Sequence, residues 1–226
     1  MRDLQMDVHS LEAEQLMAAI RPLLPDAAAA AILRDWDLCY APDSEGAYIF
    51  EKVYRAFLEE VFQPIFGAEV FHHVLYNTAI LADFYDFFAR VLLDPGHAFY
   101  RSKSRDECLR AALARALIGD VKTWGSAQRV TMKHMIFGGK LPRALGFDFG
   151  PVAIRGGRAT IHQGQVFRNG ERENTFVPSF RMITDLSQPV LYTVVAGGPS
   201  DRRFSPYYVS EVRDWLNGRL KVVRLT

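Results

Sequence analysis

The feature that most constrains this chain is a change of hydrophobic period near residue 120. Ahead of it, apolar residues recur every three to four positions, the repeat that lines them up along one side of a helix. Beyond it, the apolar runs are short, rich in β-branched and aromatic residues, and bounded by Gly, Pro or Asn, as strands are. Helices first and strands afterwards imply an α+β fold with a mostly antiparallel sheet, because parallel strands need helices interleaved as crossovers. The expected division is a helical region over 1–122 and a mainly β region with a late helix over 123–226, together one structural unit.

Leu4, Leu11, Leu16 and Ile20 share a stripe that predicts a first helix, ended by Pro22 and Pro25. Residues 27–33 are strong helix formers, with Trp36 just after them. Ile49, Val53, Phe57 and Val61 predict a long amphipathic helix, capped by Asp43 or Ser44 and ending at Pro64 and Gly67. The run from about 72 to 93 is apolar on nearly three sides and predicts a mostly buried helix, stopped by Pro95-Gly96. Ser104 followed by Glu107 has the spacing of a capping box and opens a helix ending near Gly119. In the β region, 152–154, 159–162, 165–167, 175–186, 190–196 and 220–225 read as strands. Asn169-Gly170 is the strongest short turn signal, and 206–216 reads as the late helix.

Charge and cysteine content exclude several functions. Lys and Arg total 27 against 26 acids, a net charge of +1, so there is no basic surplus for nucleic acid or an anionic membrane. With 226 residues, 49% of them hydrophobic, the chain can bury roughly 70% of its unfolded surface. Cys39 and Cys108 stand far apart beside leucines, which excludes a disulfide scaffold and a Cys-x-x-Cys site and predicts buried free thiols. No stretch approaches the ~20 apolar residues of a membrane span. Met1-Arg2-Asp3-Leu4-Gln5 lacks the apolar segment of a signal peptide. The expectation is either a cytoplasmic protein or a chain cut from a longer one.

The chemistry-bearing residues form few patterns. His72 and His73 are adjacent, about 100° apart around a helix, and cannot chelate one metal from one face. With no His-Glu-x-x-His or EF-hand loop, no metal site is expected in this chain. Ser126 in Trp-Gly-Ser-Ala-Gln and Ser200 in Gly-Pro-Ser-Asp-Arg lack the paired glycines of a nucleophile elbow. A Ser-His-Asp triad in some other order stays open, since its order along a chain is free. Gly156-Gly157 and Gly197-Gly198 lack the Gly-Lys-Ser/Thr that follows in a phosphate loop. On a strand, Ser179, Arg181, Ile183 and Asp185 share one face, and Phe180 and Met182 the other. Arg181 and Asp185 would lie roughly 13 Å apart, too far to pair. Either this is a solvated strand face, or Arg181 is buried at a junction where its planar fork ties segments together.

Several strings recur in a familiar order. They are Leu4-Gln5-Met6-Asp7-Val8-His9-Ser10, Leu33-Arg34-Asp35-Trp36-Asp37, Ser44-x-x-Ala47, Trp124-Gly125 with His134 nine residues on, and Gly156-Gly157 before Thr160-Ile161. Then come Pro178-Ser179-Phe180-Arg181-Met182-Ile183-x-Asp185-Leu186, Gly197-Gly198, Ser205-Pro206-x-Tyr208 and Trp215-x-x-Gly218. Together they resemble the penicillin acylase (penicillin amidase) family of N-terminal-nucleophile hydrolases, in the C-terminal part of the β subunit. Trp124, Ser179, Arg181, Asp185, Ser205 and Tyr208 are the landmark candidates. The resemblance implies an αββα enzyme made as an exported precursor, periplasmic or secreted, that cleaves itself to α and β subunits. The new N-terminal serine of β attacks the carbonyl of an acyl amide, such as a β-lactam side chain or an acyl-homoserine lactone. Its own amine or a nearby His assists, and backbone N–H groups with an Asn side chain stabilise the oxyanion.

That resemblance transfers no catalytic residue. Met1 cannot stand for the nucleophilic serine, Ser10 is internal, and the oxyanion asparagine and the calcium ligands common in the family have no match. Some branches orient the active-site His with a carboxylate late in β; the nearest polar residues here are His162 and Gln163, neither a carboxylate. Gly197-Gly198-Pro199-Ser200, Ser205-Pro206-Tyr207-Tyr208 and Gln128 depart from the usual strings and indicate a divergent branch. The expected function is the C-terminal portion of an acylase, partnered by the α subunit and the N-terminal part of β. A non-catalytic standalone binding module is the alternative, and an independent hydrolase with its own triad the third reading.

Overall fold

The computed structural model describes residues 1–76, 78–168 and 171–224, with the side chains of 76–83 and 165–176 outside that description. Its helices are α1 (Arg2–Gln5), α2 (Leu11–Ile20), α3 (Ala28–Arg34), α4 (Glu45–Phe66), α5 (Ala68–Tyr76), α6 (Thr78–Leu93), α7 (Arg105–Ala116), α8 (Trp124–Ala127) and α9 (Val212–Leu216). The strands are β1 (Arg129–Met132), β2 (Phe149–Ala153), β3 (Gln165–Arg168), β4 (Glu171–Phe176), β5 (Phe180–Asp185), β6 (Val190–Val195) and β7 (Lys221–Arg224). The fold is α+β, helical before residue 128 and mainly β after it, as the change of period requires.

Helix α4 is the hub of the helical half. Ser44 caps it, its Oγ accepting the Ala47 N–H at 3.1 Å, while Ile49, Val53, Phe57 and Val61 are all buried. Pro64 is tolerated in the last turn, and the backbone leaves the helix at Gly67, whose φ is +79°. Phe62 packs its ring 4.5 Å from Phe88 and within 6 Å of Phe66, Phe87 and Phe99. Helix α7 lies along α4 and opens with the predicted capping box: the Glu107 carboxylate accepts the Ser104 N–H at 2.7 Å, and Ser104 Oγ accepts the Glu107 N–H at 3.2 Å.

Several local expectations give way to longer-range contacts. The first helix is two, because residues 8–10 run extended against 38–40: Ser10 N–H donates to Leu38 O and Tyr40 N–H to Val8 O. Ser10 then caps α2, and Leu4 and Leu11, placed on the predicted buried stripe, are exposed. The run 72–93 is divided between α5 and α6, with Asn77 outside the described residues. Residues 175–186 are divided at Val177-Pro178-Ser179, since Pro178 has no N–H for a ladder. Residues 159–162 form a turn rather than a strand, Thr160 Oγ1 donating to the carbonyl oxygens of His162 and Gly157. Only 212–216 of the expected late helix is helical. The Asn169-Gly170 turn signal lies outside the described residues. Both cysteines are free, Cys108 buried but Cys39 half-buried, beside the exposed Asp37 whose carboxylate accepts its N–H.

The strands form two sheets in the orders β2-β1-β4-β3 and β5-β6-β7. Pairing is antiparallel except where β1 meets β4. Strand β5 shows the predicted alternation: Arg181 is 3% exposed, while Phe180 and Met182 are 52% and 49% exposed. Between the sheets, Val130, Ile154, Val194 and Trp215 make a small core. Among the described residues no helix is long and apolar enough to cross a membrane.

Candidate functional site

The loop 155–164 joins the two halves, and its entry demands glycine. Gly156 has φ +89°, and a Cβ there would fall 1.8 Å from His162 O. Gly156 N–H donates to Tyr40 O at 2.9 Å, its carbonyl accepts the Trp124 indole N–H at 2.9 Å, and His162 N–H donates to Asp7 O at 2.8 Å. Trp124, fully buried and edge-on to Tyr40 at 5.0 Å, is thus the fastener of this loop. Its neighbour must be small as well: a Cβ on Gly125 would meet the Pro42 carbonyl at 2.9 Å. The conspicuous Trp-Gly and Gly-Gly pairs therefore serve one junction.

From this loop Arg158 enters the helical half. It pairs with Glu12 of α2, lies 3.7 Å from Glu51 of α4, and sets its guanidinium 3.6 Å above the Tyr54 ring. The Tyr40 hydroxyl donates to Glu51 Oε1 at 2.7 Å. Burial opposes the charge on Arg158, but Glu12, Tyr54 and Glu51 outweigh it and hold the guanidinium protonated. Burial and then Glu51 push the Tyr40 phenol well up, so it stays a donor. Arg158, Glu51, Glu12 and Tyr40 escaped the reading of the sequence. One signal was present: Glu51 sits on the helical stripe of Ala47, Tyr54 and Leu58, all buried, where a carboxylate demands a partner.

Arg181 forms a second buried junction. Its Nη1 donates to Trp215 O at 2.6 Å and its Nη2 to His162 Nε2 at 2.7 Å, with the guanidinium 5.3 Å from the Trp215 ring. The donor to Nε2 assigns the His162 proton to Nδ1. His162 is 2% exposed, and burial, then the Arg181 charge, lower its pKa to about 4. Burial, then Arg155, lower that of Arg181 to about 10. Arg181 is therefore the junction arginine and not part of a solvated strand face.

The other candidates disperse. Gln163 turns the opposite way from His162, donating to Arg158 O at 3.3 Å. Ser179 is exposed and offers its carbonyl to Ala196 N–H. Asp185 caps the turn after β5 by accepting the Ser187 N–H and Oγ–H, which lower its pKa, and it makes no pair with Arg181. Ser205 Oγ accepts the Tyr207 N–H at 3.2 Å. The Tyr208 hydroxyl donates to Phe147 O, on the wall of a cavity of about 260 Å³ that also includes His134, Phe149 and Gly197. His134 Nδ1 accepts the N–H groups of Ile136 and Phe137, so it organises its own turn. Ser126 Oγ donates to Thr123 O, and Ser200 Oγ accepts the Arg202 N–H; these bonds are local turns, not a nucleophile with its base. Among the described residues no group of three or more His, Cys, Asp or Glu is placed to hold a metal ion.

These features define an α+β unit whose loop is fastened into a helical half by buried charge. The family model for penicillin amidase matches residues 1–226, the whole sequence, and the chain belongs to that family. Comparison with curated proteins found no match.

Proposed function

We propose that this chain is the C-terminal portion of a penicillin-acylase-type amidohydrolase, which cleaves the C–N bond of acyl amides such as β-lactam side chains or acyl-homoserine lactones. The family match over the whole sequence carries the reading. Within that enzyme, an upstream polypeptide supplies the N-terminal serine, which forms an ester with the acyl group as the amine departs; water then releases the acid. The oxyanion donors come from the same upstream part. The role of the present chain is structural: its helices and locked loop wall the catalytic sheet.

The outer strands support this role. Among the described residues β5 and β7 each pair on one side only, and their neighbourhood exposes Phe180, Met182, Val222 and Leu186. Open edges beside exposed apolar residues are normally covered. The remainder of the acylase, α subunit and N-terminal part of β, is the proposed cover, and the periplasm or cell exterior the proposed location. Co-expression with the upstream acylase polypeptide tests the reading. Co-purification with acyl-amide turnover is expected; a chain that stays monomeric and never co-purifies would overturn it in favour of a standalone binding module.

A further inference from the structure

The two buried arginines differ in how their charge is balanced. Arg158 faces Glu12 and Glu51, whereas Arg181 has no carboxylate partner among the described residues, only His162, a carbonyl and the Trp215 ring. A second guanidinium, Arg155, also makes no ion pair among the described residues and bears on both His162 and Arg181. Arg181 is charge removed from water without a counter-ion, which is costly, and the half-buried Arg155 adds a second positive charge, so the site is shaped for an anion. Beside them lies a cavity of about 240 Å³, bordered by Arg155, His162, Trp215 and Asn217. Buried donors are unused as well: Arg181 Nε and His162 Nδ1 have no hydrogen-bond partner.

We propose that this cavity binds a carboxylate, with Arg155 as its ion-pair partner, Arg181 as the second positive charge behind His162, and the Trp215 indole as the apolar wall. The planar guanidinium fork matches a carboxylate with two parallel hydrogen bonds, and the indole suits the carbon that carries it. The carboxylate has two possible sources, a small free acid or an Asp or Glu side chain of another polypeptide. Recognition resides in this chain and stands independently of the acylase reading.

The test titrates the isotope-labelled chain with sodium acetate at constant ionic strength, following the Trp215 indole and Asn217 amide signals by NMR. Acetate is expected to give saturable shifts and neutral acetamide none. Arg155→Gln is expected to weaken acetate binding ~10-fold or more, in line with a lost charged hydrogen bond. A blocked aspartate (N-acetyl, N-methylamide) that binds more tightly than acetate assigns the site to a protein carboxylate; weaker binding assigns it to a small acid. Equal responses to acetate and acetamide, equal binding of inorganic phosphate, no saturable response, or unchanged affinity in Arg155→Gln would each overturn the proposal. The acetate–acetamide difference needs no variant, and the Arg155→Gln spectrum reports its own fold.

Discussion

Phe62 in the helical half is surrounded by Phe66, Phe87, Phe88 and Phe99, whereas Arg181, as deeply buried in the β half, touches His162, Trp215 and a backbone carbonyl. The helical half has a continuous apolar core running from α2 to α7, while the cluster in the β half is small, formed among the described residues by Val130, Ile154, Val194 and Trp215. Apolar burial is non-directional and scales with area, so the helical half draws stability from many interchangeable contacts. The β half is held in register by a few directional polar contacts, each sensitive to pH or to one substitution.

The largest effect should come from the link between the halves. Arg158→Ala leaves Glu12 and Glu51 near Tyr54 without their cation, and urea denaturation should show a loss of about 3–5 kcal/mol. A cost below ~1 kcal/mol would mean that solvent reaches the carboxylates and the lock is ornamental. Next, Trp215→Ala removes the centre of the smaller core, a loss of about 3 kcal/mol or more. Hydrogen exchange should then show faster exchange in β5 and β6 while the amides of α4 and α7 keep their protection. Equal loosening of both halves would erase the contrast drawn between them.

The third effect is a pH dependence confined to the β half. His162 has a folded pKa of about 4 against an ordinary 6.5, so the unfolded chain takes up the proton first. Its contribution to stability is complete above pH 6.5 and declines as pH falls towards 4, by on the order of 3 kcal/mol in total. His162→Gln, which can still accept from Arg181, should remove this part of the slope between pH 7 and pH 4.5 in denaturant titrations; an unchanged slope would place the titration elsewhere. Smallest is Ser104→Ala, which opens the α7 capping box for about 1 kcal/mol without altering the β half.

Where structure is decided within a few residues, the sequence was readable. The stripe of Ile49, Val53, Phe57 and Val61 and the Ser104–Glu107 box placed α4 and α7, and the alternation around Arg181 set it on the face opposite Phe180 and Met182 while leaving its burial open. Failures came where a distant partner decided. Residues 8–10 leave the helix because 38–40 offer backbone bonds, and nothing in their own pattern announces it. Arg158 has its partner Glu12 on α2, 146 positions away, so no local spacing could join them. His162 was singled out from family landmarks, but its bond to Arg181 and its separation from Gln163 emerged only once the loop was closed by Gly156.

On the proposed function, acyl-amide cleavage requires a nucleophile from polypeptide beyond this sequence. Incubating the purified chain with a chromogenic acyl amide and weighing the intact protein tests it directly. The account predicts no turnover and no mass increase. Turnover accompanied by an acyl group mapped to an internal serine, Ser126 or Ser200 for example, would contradict it.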